Sequence, residues 1–294
     1  MAAVEPVLDL RGGGRVRRRR YVNRAAEVTA TVAALAAVAV LALVVWTVAR
    51  RGAAELSWSF LTSPLPLFGQ PGGGIAPLIV GSALLVAVAT AIALPVGVLM
   101  ALFLTEFAPR KVAAPVQLTL DLMAGLPSVI IGTFVYGLLI YGHTQSGWAG
   151  GFALSIVMLP LVARSTQEVL KLVPQAQRDA AFALGASRWR MVIGVVLPSA
   201  LGGILTGTVL AIARAAGETA PLLFATSIYA NNTSWSIFHA LPNMPVQIFI
   251  WSESPNPEDH ARAWATALVL LLFVLLTSLL ARFALARSQR KLGR

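Results

Sequence analysis

The chain has 294 residues, of which 57% are hydrophobic and 12% charged, with a mean hydropathy of +0.76 and a formal net charge of +11. That composition excludes an ordinary soluble domain and indicates a polytopic membrane protein. The absence of cysteine excludes disulfides and thiolate metal sites, and His143, His239 and His260 are too far apart in sequence to suggest a ligand set.

Along the chain, six apolar runs are long enough to cross about 30 Å of hydrocarbon, which takes roughly 20 helical residues. They fall near residues 28–49, 75–104, 112–141, 149–171, 199–225 and 263–284. They are continuously apolar and lack the alternation of membrane barrel strands, so the predicted fold class is all-α with six transmembrane helices. The expected organisation is a basic cytoplasmic tail over 1–24, a first membrane helix over 25–50 and an extracytoplasmic loop over 51–74. A transmembrane domain over 75–285, containing a polar loop at 172–198, and a second basic tail over 286–294 follow.

The tail carries Gly12-Gly-Gly14 and an arginine cluster, Arg15 and Arg17 to Arg20, and is expected to be disordered and to contact anionic headgroups. The apolar run behind it exceeds the length of a signal peptide and lacks a clear small-residue cleavage site, so it is expected to stay as an anchor. With both termini inside, 19 of the 23 Lys and Arg residues are cytoplasmic and only Arg50, Arg51 and Arg262 are outside, with Arg214 inside a span. The basic charge is thus explained by membrane orientation rather than by nucleic acid.

The outer loop 57–74 is rich in Pro and Gly, and 227–262 is long for a connection. Within the latter, Met244 to Trp251 is too short to span and is expected to cap the path, to touch an external partner or to pack over helix ends. The sequon Asn231-Asn232-Thr233 carries little weight. In the third span, Asp121 with Gly125-Leu-Pro127-Ser128 forms an acidic, kinked segment that suits either a gating or lining role or, for Asp121, a place at the inner interface.

In the polar loop, Pro174 suits a helix start and Gly185 a helix end, so Gln175 to Leu184 is predicted helical, with Ser187 as N-cap of the next helix. The small side chains of Ala180, Ala181 and Ala183 would let a partner's backbone approach, ringed by Arg178, Arg188 and Arg190. An interfacial amphipathic helix anchored by Trp189 is the alternative. In the fifth span, Arg214 and Glu218 stand four apart near the middle of an apolar segment, where an arginine costs about 2.5–3.5 kcal/mol unless it faces a cavity or a partner. Their spacing also permits a structural intrahelical ion pair. Guanidinium offers paired donors for oxyanions, and a carboxylate accepts a hydrogen bond from a protonated phosphate oxygen, which sulfate cannot supply. Gly217, Thr219 and Pro221 suggest close helix contact and a kink.

The run Asp179-Ala-Ala, three residues, Gly185, nine residues, Val195, one residue and Leu197-Pro198 resembles the cytoplasmic "EAA" loop of ABC importer permeases, with Asp and Val where Glu and Ile are usual. Four further strings are similar to segments of PstA-type permeases of phosphate ABC importers. They are Leu61 to Pro66 with Gly72 to Ile75, Gly125 to Gly132 with Phe134 to Tyr136, Arg214 to Leu223, and Met244 to Phe249, in the family's order across about 55–285.

The resemblance implies a type I ABC importer permease fold in a bacterial plasma membrane. It implies a non-enzymatic transport subunit paired with a second permease, two cytoplasmic ATPase subunits and an extracytoplasmic phosphate-binding protein. Asp179, Ala180, Ala181, Gly185 and Ala186 would couple to the ATPase, while Arg214, Glu218 and Thr219 would line the phosphate path. The chain has no Gly-x4-Gly-Lys-Ser/Thr loop, so ATP and Mg would be held by the partner and no cofactor by this chain. A permease for another oxyanion, a proton-coupled secondary transporter and a sensor scaffold are the rival readings.

Overall fold

The computed structural model describes residues 14–66, 72–226 and 233–292, and it divides into two units, Met1–Arg50 and Arg51–Arg294. Residues 1–13 of the basic tail, 67–71 of the outer loop, 227–232 with the sequon's Asn231 and Asn232, and the last two residues of the basic C-terminal tail lie outside the described residues.

The described part of the first unit is the helix α1 (Gly14–Gly52) up to Arg50. The arginine cluster expected to be disordered is instead its opening turns. Arg and Ala are strong helix formers, and a nucleated membrane helix extends cheaply, adding one hydrogen bond per residue fixed. Arg17 stacks 5.9 Å over the Tyr21 ring one turn on.

In the second unit, Ser57 caps the short α2 (Trp58–Thr62) by accepting from Phe60 N at 3.1 Å. Two long helices then form the core, α3 (Ala76–Phe107) and, further along, α6 (Gly147–Lys171). Leu85, Ala89 and Ala93 of α3 pack against Leu154, Met158 and Val162 of α6. Glycine allows this proximity, since a Cβ on Gly97 would stand 2.9 Å from Val162 and one on Gly151 2.4 Å from Val88. Small residues at such seams are how membrane helices gain dispersion contact without a hydrophobic driving force.

The third predicted span is broken. It forms α4 (Arg110–Gly125) and α5 (Ser128–Ile140), bent by 99°. Pro127 drives Leu126 out of the helical region, to φ −67° and ψ 133°, because its ring obstructs helical geometry in the residue before it. Neither segment, at about 1.5 Å per residue, reaches across 30 Å alone.

After the short α7 (Gln175–Ala183), the fifth span is also interrupted. It runs as α8 (Arg188–Ala216) and α9 (Ala220–Ala225). Pro221 has no N–H for the Gly217 carbonyl and its ring crowds that carbonyl, so the helix stops at Gly217 and restarts. The described residues thus contain five helices able to cross a membrane, or six if the bent pair counts as one.

The Met244 segment forms α10 (Met244–Ser252), capped by Asn243, whose Oδ1 accepts from Val246 N at 3.1 Å. It is packed inward: Met244 N donates to Ser82 Oγ at 2.9 Å, and Met244, Val246 and Trp251 are buried. Part of the outer loop joins it, with Phe60, Leu65 and Ile75 in the same cluster. The chain ends in α11 (Pro257–Leu292).

The two broken spans meet. A Cβ on Gly132 of α5 would stand 2.9 Å from both the Pro221 Cα and the Phe224 ring, whereas one on Gly125 would meet nothing within 4 Å. Gly132→Val should therefore destabilise the purified protein by about 1–3 kcal/mol, the usual cost of overpacking. Gly125→Ala should leave stability nearly unchanged, and thermal unfolding in detergent, followed by loss of monodispersity, compares the two.

Candidate functional site

Helix α7 begins after Pro174 at φ −60° and closes in a Schellman motif. Gly185 sits at φ +78°, a conformation glycine adopts without strain, and its N–H donates to Phe182 O at 2.9 Å while Ala186 N donates to Ala181 O at 3.0 Å. The glycine at this offset is thereby explained by the turn itself. Ser187 occupies the N-cap position of α8, but its side chain makes no capping bond; its carbonyl accepts from Met191 N at 2.9 Å.

The alanines divide between two faces. Ala181 is buried in a cluster with Leu170, Val173, Met191 and Val192, so its small side chain serves this chain's own packing rather than a partner's approach. Asp179, Ala180, Ala183 and Gly185 are exposed, as are Phe182 and Leu184, the latter 89% exposed. Asp179 Oδ1 accepts from Gln175 Nε2 at 2.9 Å along the same helix.

Arg178 does not ring the alanines with charge. Its Nη1 donates to Glu106 Oε1 at 3.0 Å and its Nη2 to the Leu170 carbonyl at 2.9 Å, with the two charged side chains only 11% and 8% exposed. Glu106 lies in the π-helical last turn of α3, Phe103–Phe107, and is the one acidic residue between Ala76 and Ala108. That isolation at the end of a span is the sequence signal for it, though nothing local names its partner 72 residues away. Beside the pair, the Phe107 and Trp189 rings stand 5.1 Å apart, and Arg188 lies 5.3 Å over Phe107. Helix α7 is thus held by the ends of α3 and α6 and the start of α8.

At the other end of α8, Arg214 Nε stands 3.6 Å from Glu218 Oε1, ion-pair distance but too long for a hydrogen bond. The two are not on one continuous helical face near mid-span. Arg214 is in the last turn of α8, and Glu218 and Thr219 occupy the break before α9. Arg214 is 58% exposed and Glu218 20%, so the carboxylate only partly covers the guanidinium. Thr219 accepts at its carbonyl from Leu222 N and Leu223 N, both at 3.1 Å, opening α9.

Asp121 belongs to a different group. It forms an ion pair with Arg164, which lies within α6 rather than in a cytoplasmic loop. Buried Gln167 is beside them, and Gln117, with its amide oxygen turned to Arg164 Nε at 3.1 Å, also donates to Gln167 Oε1 at 3.1 Å. Pro127 and Ser128 mark the α4–α5 bend, so of the three possible gating or lining residues two sit on the segment that meets α9 and one on the α4–α6 contact.

Residues 93–291 match the family described as binding-protein-dependent transport system inner membrane component. The phosphate transport system permease protein PstA of Yersinia pestis is 39% identical over 92% of each chain. PstA 1 of Mycobacterium tuberculosis strain H37Rv is 34% identical over 93% of this chain and 91% of its own. Among solved structures, a bacterial ABC transporter involved in import of the acidic polysaccharide alginate superposes with a TM-score of 0.63 over 92% of this chain and 99% of its own, at 16% identity. An inward-facing form of the MetNI methionine ABC transporter gives 0.57 over 73% of this chain and 94% of its own, at 18% identity.

Removing either charge of the α7–α3 pair strands the other in a poorly solvated site, which typically costs about 3–5 kcal/mol. Glu106→Ala and Arg178→Ala should each lower the unfolding midpoint of the purified protein strongly. The double variant Glu106→Leu/Arg178→Met should be more stable than either, and a double-mutant cycle on denaturation midpoints reads the coupling.

Proposed function

The chain belongs to the binding-protein-dependent transport system inner membrane components, and within them to the PstA-type phosphate permeases; from this premise we propose that it is one permease subunit of an ATP-driven importer of inorganic phosphate. It forms the translocation path with a second permease, sits on two copies of a cytoplasmic ATPase and receives phosphate from an extracytoplasmic binding protein. It resides in the bacterial plasma membrane as a multi-pass protein with both termini cytoplasmic, the arrangement favoured by its Lys and Arg distribution.

The observation that carries this reading is Arg214, 58% exposed on this chain's surface at a helix break. A guanidinium facing hydrocarbon is costly, so such a side chain belongs against a partner or a water-filled path. Unpaired backbone at a helix break is tolerated under the same condition. Arg remains protonated and presents planar paired donors that fit phosphate oxygens. Glu218, 3.6 Å away, partly neutralises Arg214 between cycles and accepts a hydrogen bond from a protonated phosphate oxygen. That preference favours phosphate over sulfate. Thr219 and the α4–α5 bend at Pro127 and Ser128 complete the path in this reading.

Energy enters elsewhere. Asp179, Ala180 and Ala183, with Phe182 and the C-cap Leu184, offer an exposed, largely apolar surface with one acid, suited to a groove on the ATPase. Ala181 seats that helix from within, and the turn at Gly185 and Ala186 fixes its end. ATP and Mg belong to the partner, which drives alternation between outward and inward access by closing against α7.

Reconstitution of the four-component system tests the reading. Arg214→Ala should assemble normally and lose ATP-dependent phosphate uptake by about tenfold or more, the scale of one charge-assisted contact. Glu218→Gln should narrow the preference for phosphate over sulfate. Normal uptake by Arg214→Ala, or accumulation driven by a proton gradient without ATP, would overturn it.

A further inference from the structure

Between the ends of α3 and α6, the start of α4, helix α7 and the start of α8 lies a cavity of about 1060 Å³. Four cationic side chains line it, Arg110, Lys171, Arg178 and Arg188, against one acid, Glu106. Arg178 is spent on Glu106 at 3.0 Å, and Lys171 donates to Glu168 at 2.8 Å. Arg110 and Arg188 make no ion pair among the described residues, and Arg188 is steered by the Phe107 ring, 5.3 Å from its guanidinium carbon. The lining therefore has two uncompensated guanidiniums, the side chain best matched to phosphoryl oxygens.

The remaining lining is mixed, with apolar Leu104, Ala113, Ala114 and Met191 beside polar Thr105, Gln117, Gln167 and Gln175. The volume is at the upper end of what a drug-sized ligand fills, far beyond one phosphate ion. The cavity opens where the apolar helices give way to polar loops. An apolar part of the lining beside two guanidiniums without ion pairs suits an amphipathic anion, and basic pockets between membrane helices are known to accept lipid headgroups.

We propose that this cavity binds a phosphoryl oxyanion, carried by an anionic phospholipid in the leaflet on the α7 side, with Arg110 and Arg188 clamping the headgroup and the apolar part of the lining receiving the first acyl carbons. The bound lipid would lie against α7 along Gln175 and Arg178 and would fill the space between α7 and the spans. The inference does not depend on which ion the protein transports, because its test reads binding directly.

The full-length protein, purified in detergent and stripped of lipid, is titrated with phosphatidylglycerol and with phosphatidylcholine, and adducts are resolved by native mass spectrometry. Phosphatidylglycerol should be retained selectively, and Arg110→Gln/Arg188→Gln should weaken it by about tenfold or more, the effect of losing two charges near a membrane surface, with phosphatidylcholine unchanged. Arg110→Gln alone, at a residue without an ion-pair partner, keeps the test usable if the double variant is unstable, and should give an intermediate loss. Displacement of the lipid by inorganic phosphate in wild type would keep the oxyanion site and assign it to the free ion instead. Equal retention of the two lipids, or retention of phosphatidylglycerol unaffected by either variant, would overturn the proposal.

Discussion

Arg178 and Glu106 meet, both about nine-tenths buried, where helix α7 lies against the end of α3. An ion pair in that setting is unforgiving: screening is weak, and each partner left alone would carry a large desolvation penalty. The second donor of Arg178 reaches the Leu170 carbonyl, so one guanidinium ties α7 to two membrane helices at once. In the proposed function, a force applied to the exposed face of α7 would be delivered to α3 and α6 rather than absorbed by a loose loop. Ala181 and the Schellman turn at Gly185 serve the same end, since the first lets α7 settle onto Met191 and Val192 and the second lets the chain reverse within two residues.

The far side of the molecule follows a different constraint, the two prolines that interrupt membrane helices. Pro127 turns α4 into α5 through 99°, and Pro221 separates α8 from α9. Gly132 brings the second half of each together, with Pro221 Cα only 2.9 Å from where its Cβ would be. Arg214 and Glu218 sit at one of these interruptions, where backbone groups are released from helical pairing. Transporters place substrate sites at discontinuous helices for the same reason, because charges and free backbone groups are affordable only where protein or water surrounds them. Between the two regions runs the α3–α6–α8 core, whose close seams rely on glycine at Gly97, Gly151, Gly203 and Gly207.

The sequence reveals much of this and misses specific things for specific reasons. Hydropathy alone identifies the all-α class and the runs that become α1, α3, α6, α8 and α11, because span length is a direct consequence of membrane thickness. Helix α7 is legible to within one residue from Pro174 and Gly185, both local conformational signals. The Arg178–Glu106 and Arg164–Asp121 pairs join residues 72 and 43 positions apart, and no periodicity encodes such distances. Pro127 and Pro221 are visible as kinks, yet whether a proline bends a helix or ends it depends on what packs against the freed backbone. The N-terminal arginines look disordered by charge but are helical because the apolar run behind them nucleates the helix.

In the proposed function the buried pair transmits work from α7 to the spans, which is read by the ratio of phosphate imported to ATP hydrolysed in proteoliposomes holding the complete transporter with Glu106→Ala. Hydrolysis should continue while imported phosphate per ATP falls well below wild type. An unchanged ratio at normal hydrolysis would contradict it, leaving the pair as a packing feature with no part in coupling.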